Sequence, residues 1–170
     1  MAKLYYSEDD LFNHSFEKST VIAHVVNNQN AMGSGFVVPL VKRWPIVKAK
    51  YHEFADYNGL ELGNAQIITV SEDPQIIVAN MIAQKLGGLR PLYYNHLVKA
   101  MESVALIAKD REIIAPLFGA GLAGGNWEII EELVMDIWVR QEIDVTVYWK
   151  ENLLPVGLSS DNLHDRESID

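Results

Sequence analysis

Cysteine is absent from this 170-residue chain. That removes thiol nucleophiles, thiolate metal sites and disulfides together, and it fits a reducing compartment. Long apolar runs are missing too, so no segment reads as a membrane span. The opening MAKLYYSEDD turns acidic at once and has no apolar stretch of signal-peptide type. Cytoplasmic residence is therefore the expectation. Basic residues are scarce: 14 Lys and Arg stand against 23 Asp and Glu, for a formal charge of −9. The last twenty residues hold five acids and one arginine and carry −4 of it, leaving −5 for the body. This balance argues against tracking a nucleic-acid backbone, which needs basic surface. A small anion is still admissible, because backbone N–H groups bind phosphate without lysine or arginine. The five histidines are scattered, with no H-E-x-x-H or similar spacing, so neither a metal nor a cofactor is expected.

What is present is ordinary for one globular domain with its own core: 49% hydrophobic and 22% charged residues. Apolar, β-branched segments at 3–6, 20–26, 65–70, 75–82, 112–116 and 144–149 read as strands. The polar turn 71–74 makes the third and fourth a hairpin. Helical patterns cover 36–44, which Pro45 ends, and 46–57, closed by Asn58-Gly59. They recur at 93–108, with Leu97, Met101, Val104 and Ala108 on one face. The last covers 127–140, with Trp127, Ile130, Val134, Ile137 and Trp138 inward. Strands alternating with helices predict a layered α/β fold, three layers deep (α/β/α), around a central mixed sheet. The domain is expected to end near residue 154, with 155–170 an acidic, flexible tail.

Ligands in open α/β sheets bind beyond the C-terminal ends of strands. Two glycine-bearing loops begin at such ends. The first is Asn27-Asn28-Gln29-Asn30-Ala31-Met32-Gly33-Ser34-Gly35, and the second is Gly119-Ala120-Gly121-Leu122-Ala123-Gly124-Gly125. Glycine lets a backbone approach a ligand, and a helix start behind the loop offers free N–H groups to an anion. Each loop alone also reads as a tight turn. The second lacks the Gly-Lys-Ser/Thr of a Walker A motif, and it lies too late in the chain for a Rossmann fingerprint. On spacing, the pair points to phosphate binding and no further. His24 reads as a structural histidine of an apolar strand.

The order of these pieces carries more. Asp10-Leu11-Phe12, the apolar strand with Ala23-His24, Met32-Gly33-Ser34-Gly35, and Gly119-Ala120-Gly121-Leu122 followed by Trp127 together resemble a macrodomain. The pattern is similar to the branch that contains the terminal ADP-ribose protein glycohydrolase and the antitoxins that remove ADP-ribose from DNA. The resemblance runs from about residue 3 to residue 149. It implies an ADP-ribose ligand and the three-layer macrodomain fold. It implies that Asp10 accepts a hydrogen bond from the adenine amino group, with Leu11 beside it. Asn27 and Asn30 would lie near the distal ribose. Gly33, Ser34 and Gly35 would line one side of the diphosphate and ribose, and Gly119, Ala120, Gly121, Leu122 and Ala123 would donate backbone N–H groups from the other.

In that branch a lysine after the second hairpin strand attacks the anomeric carbon, and Lys85 falls where it is expected. A neutral amine can form a Schiff base with the ring-opened sugar. The same residue also reads as a solvated loop lysine. The branch carries an acid/base residue just after the Gly-x-Gly-Leu run, and this sequence has Ala123 there. Glu128 is nearby, in a position that also suits the helix dipole. Asn30, in an Asn-rich loop, could instead position a water. Three readings follow: a hydrolase or phosphatase acting on ADP-ribose derivatives, a non-catalytic ADP-ribose reader, or another nucleotide-binding α/β domain. Monomer is the default state.

Overall fold

The computed structural model describes residues 1–164 and 168–169 of the chain. Strands form where β-branched residues cluster, and the two most apolar ones lie deepest. These are β2 (Thr20–Asn27) and β4 (Gln75–Gln84), each buried along nearly its whole length. Around them stand β1 (Leu4–Glu8), β3 (Ala65–Glu72), β5 (Glu112–Ala115), β6 (Val145–Trp149) and the two-residue β7 (Ser168–Ile169). Among the described residues they form one sheet in the order β3-β4-β2-β5-β6-β1-β7. The pairs from β4 to β1 are parallel, and both edge strands, β3 and β7, run antiparallel to their neighbours.

Alternation along β2 divides the interior. Val21 and Ala23 face a core shared with α3 (Tyr94–Ile107) and α4 (Trp127–Ile137), where Met101, Val104, Val134 and Trp138 are buried. Ile22 and Val26 face the opposite core, closed by α1 (Val37–Arg43) and α2 (Ile46–Tyr57) through Leu40, Val47 and Tyr51. The fold is thus α/β in three layers with a mixed sheet, as the alternation of strands and helices predicted.

Three local expectations need correction. The hairpin turn is shorter than 71–74, because β3 runs on to Glu72 with a register shift between Thr69 and Ser71. The helix expected over 127–140 stops at Ile137. Trp138 caps it, buries its ring and donates its indole N–H to Met101 O at 2.9 Å, and Val139–Gln141 follows as a 3₁₀ turn. Ile137, expected inward, is only half-buried. The third concerns the tail. Residues 160–164 form a short helix, α5 (Ser160–His164), whose Leu163 is 0% exposed in the α3/α4 core, and β7 pairs with β1. Leu158 packs on the same core. Leu158 and Leu163, expected in a free tail, thus pack on the body; residues 165–167 and 170 lie outside the described residues. Among the described residues, no helix is long and apolar enough to cross a membrane.

Candidate ligand-binding site

β2 and β5 are parallel neighbours, and the chain leaves them in opposite directions along the sheet, β2 towards β4 and β5 towards β6. Such a switch point opens a crevice beyond the strand ends. Both glycine loops start there.

The first loop is braced by Asn27. Its Nδ2 donates to Ala31 O at 2.6 Å, and its Oδ1 accepts from the Gln29 N–H at 2.9 Å and the Ala31 N–H at 3.3 Å. The buried Tyr51 hydroxyl lies 2.7 Å from Asn27 O and 2.9 Å from its Oδ1. Burial pushes the Tyr51 phenol up to about 12, so it remains a neutral donor. The Asn27 amide is thus used inside the loop. Asn30 takes positive φ, 58°, and its exposed amide oxygen is hydrogen-bonded to His52 on α2. Beyond the buried Met32, a Cβ on Gly33 would meet nothing within 4 Å. Gly35 has φ +75°, and a Cβ there would come 3.5 Å from the Leu122 side chain. The tip of the first loop therefore faces the second.

The second loop closes on itself. Gly125 N–H donates to Gly119 O at 2.7 Å and Gly124 N–H to Gly121 O at 3.0 Å. A Cβ on Gly125 would stand 2.5 Å from Gly119 O, so only glycine fits there. Ala120 and Ala123 are buried, whereas Gly121 and Leu122 face outward. Among the described residues, the Gly121, Leu122 and Ala123 N–H groups have no acceptor. A Cβ on Gly121 would meet nothing within 4 Å. Asn126 caps α4 by accepting from the Glu128 N–H at 2.8 Å. The open backbone of this loop and the capped helix behind it offer N–H dipoles to an anion, and Arg90 of the neighbouring loop packs against Gly124.

Two features bound the ends. At one, Asp10 accepts from the Phe12 N–H at 2.9 Å and from Lys150 Nζ at 2.9 Å. Hydrogen bonds from Lys150 and the Phe12 N–H hold its carboxyl below the usual range, so it is an ionised acceptor at neutral pH. Leu11 is buried beside it, and Phe12 stacks on Phe36, the residue after Gly35, at 5.7 Å between centroids. A cavity of about 560 Å³ adjoins Asp10, lined by Glu8, Asp9, Asn13, Lys150 and Glu151 among others and by no residue of either glycine loop. At the other end lies the loop 85–91. Lys85 is exposed on it, and Leu86 N–H donates to Gln29 Oε1 at 2.6 Å in the first glycine loop. Ser34, like Gly33 and Gly35, is exposed.

The structure thus sets Gly35 of the first loop against Leu122 of the second, with Gly33, Ser34 and Gly121 exposed on the same two loops; Lys85 is exposed on the loop between them and Asp10 pairs with Lys150. It does not bring an acid to position 123, whose methyl group is buried. His24 sits beneath the first loop, 1% exposed, with Nε2 hydrogen-bonded to Asn80 Oδ1 at 2.5 Å and its ring 5.5 Å from Phe36. Burial pushes its pKa down to about 4, so it is neutral and structural. Sequence reasoning missed Lys150 as the partner of Asp10, 140 residues away. It also missed Gln29, which nothing local distinguishes from the polar residues around it.

No family model matches the chain. A macrodomain protein from Streptomyces coelicolor is 34% identical to it, with 86% of this chain and 98% of that one covered and a TM-score of 0.74. The ADP-ribose glycohydrolase OARD1 of Homo sapiens is 23% identical over 86% of this chain and 91% of its own length. A Thermosipho africanus DarTG structure in complex with ADP-ribose, 21% identical, superposes with a TM-score of 0.73, covering 95% of this chain and 46% of that one. Sheet order, paired glycine loops and a relative matched over nearly its full length agree, and the chain belongs to the macrodomain family.

Proposed function

We propose that the crevice between the two glycine loops binds ADP-ribose and that the protein is a cytoplasmic hydrolase of ADP-ribose derivatives. The observation that carries the binding is the facing of Gly35 and Leu122, with open space at Gly33 and Gly121 and acceptor-free N–H groups at Gly121 to Ala123. A diphosphate fits such a cradle because the N–H dipoles are fixed in place and need no lysine. Asp10 stands at the end where adenine would offer its amino group. The OARD1 relative is an ADP-ribose glycohydrolase and the DarTG neighbour holds ADP-ribose, which supports the same ligand here. The testing experiment is a calorimetric titration with ADP-ribose, AMP and NAD, alongside thermal melts. At a hundred times its Kd, ADP-ribose should add about 2.7 kcal/mol of stability. Gly121→Glu should fold normally, since its side chain enters open space, yet lose ADP-ribose to steric and charge conflict with the diphosphate. An unchanged melting temperature with saturating ADP-ribose rules the reading out.

A second reading, a reader without catalysis, is favoured by the buried Ala123 and by the engaged amides of Asn27 and Asn30. Turnover decides between them. The expected activity is slow and falls on a derivative with a good leaving group, ADP-ribose 1″-phosphate first, because an aligned acid or base is worth about 10²–10⁴ in rate. If Lys85 is the nucleophile, Lys85→Ala abolishes it and borohydride traps a sugar adduct. If Asn30 positions water, Asn30→Ala costs more and no adduct forms. No turnover of any derivative leaves the reader.

A further inference from the structure

The loop 85–91 belongs to neither glycine loop and touches both. It leaves β4 at Gln84 and returns at Leu92, closed by the antiparallel Gln84–Leu92 bridge and by the Lys85 N–H donating to Pro91 O at 3.0 Å. Towards the first glycine loop, the Leu86 N–H donates to Gln29 Oε1 at 2.6 Å. Towards the second, the Leu92 N–H donates to Ala123 O at 3.1 Å, and a Cβ on Gly124 would come 2.7 Å from Leu89 O. Glycine at position 124 thus permits a backbone-to-backbone contact that any other residue would push apart.

At its C-terminal side Arg90 lies over the Tyr94 ring of α3, 4.5 Å from the centroid, but little side-chain packing fixes the residues before it. Leu86 and Leu89 are exposed, and Gly87 and Gly88 both take positive φ and present no side chain to pack. A segment with so little buried surface is placed by its hydrogen bonds. The far end of the crevice is held separately, by the Phe12–Phe36 stack.

We propose that residues 85–91 are a clasp that sets the gap between the two glycine loops at the distal-ribose end, with Gln29 as the positioning residue that holds it. This rests on the ADP-ribose reading above. Its signature is selectivity: loosening the clasp acts on the ribose end of the ligand and spares the adenosine and diphosphate end.

The experiment is a calorimetric titration of wild type and Gln29→Ala with ADP-ribose and with ADP, which lacks the distal ribose. Gln29 is exposed, so the melting temperature should hold. One hydrogen bond corresponds to about fivefold weaker ADP-ribose binding in the variant. ADP affinity should be unchanged. A loss shared equally by both ligands, or no loss for either, overturns the clasp. A wild type that takes neither ligand overturns the ADP-ribose reading, and the clasp with it; a loss confined to the variant cannot be confused with that result.

Discussion

At the scale of single residues, His24 shows how burial sets charge. Its Nε2 meets Asn80, Asn80 Nδ2 donates to Gln66 Oε1 at 3.0 Å, and Gln66 Nε2 donates to Lys50 O at 2.8 Å. This polar chain runs through β2, β4 and β3 to α2. Among the described residues the His24 Nδ1 has no partner, so protonation would leave a cation in an apolar layer. The folded pKa of about 4 lies below the unfolded value near 6.5. The unfolded chain therefore binds the proton first, and stability, full above pH 6.5, falls as the pH drops towards 4. The loss is on the order of 3 kcal/mol. Urea melts of wild type and His24→Gln between pH 7 and 4 check it: the variant should show a flatter slope in that window. A slope as steep as that of wild type assigns the effect to another group. The same residue marks what sequence can disclose. An apolar strand around His24 predicted a structural histidine. The bracing of Asn27 by the Tyr51 hydroxyl was not legible, because the two residues lie 24 positions apart.

At the scale of elements, the alternation of strands and helices was readable because each helix buries one stripe and each strand is bounded by turn residues. α2 was anticipated end to end, since Pro45 starts it and Asn58-Gly59 closes it. The C-terminal segment was not. Its acidity suggests a free tail, and two leucines in a run of polar residues carry no period. Docking is decided elsewhere: Leu163 enters the core, His164 lies 3.3 Å from Glu8, and its ring meets Trp149 edge-on at 5.1 Å. Deleting residues 158–170 should therefore destabilise the protein. Burial of Leu163 and part of Leu158 is worth about 3 kcal/mol, or a fall of about 6–12 °C in Tm for a chain of this size. ADP-ribose should still bind, because both glycine loops lie away from this contact; of the proposed ligand residues only Asp10, beside Glu8, adjoins it. An unchanged Tm on truncation would show that the segment contributes no packing.

At the scale of the whole molecule, an acidic protein is assigned an acidic ligand. The two are compatible because the attraction is local. It comes from oriented N–H groups at a crevice, while −4 of the net charge of −9 sits in the last twenty residues. Increasing salt should therefore weaken ADP-ribose binding far less than it would a lysine-lined site. The two-sided core also explains why the glycine loops can be so bare: both β2 and β5 are clamped by helices on each face, and the loops inherit rigid roots.

The pairing of β1 with β6 joins Leu4 to Val145 and Glu8 to Trp149. During synthesis, then, the first strand to leave the ribosome must wait for almost the last before it acquires its neighbour. Contacts of such long separation form slowly. Asp10 hangs from the end of β1 and its partner Lys150 follows β6 directly. The Asp10–Lys150 pair is consequently assembled last, and a nascent chain stalled short of residue 150 carries both glycine loops without it.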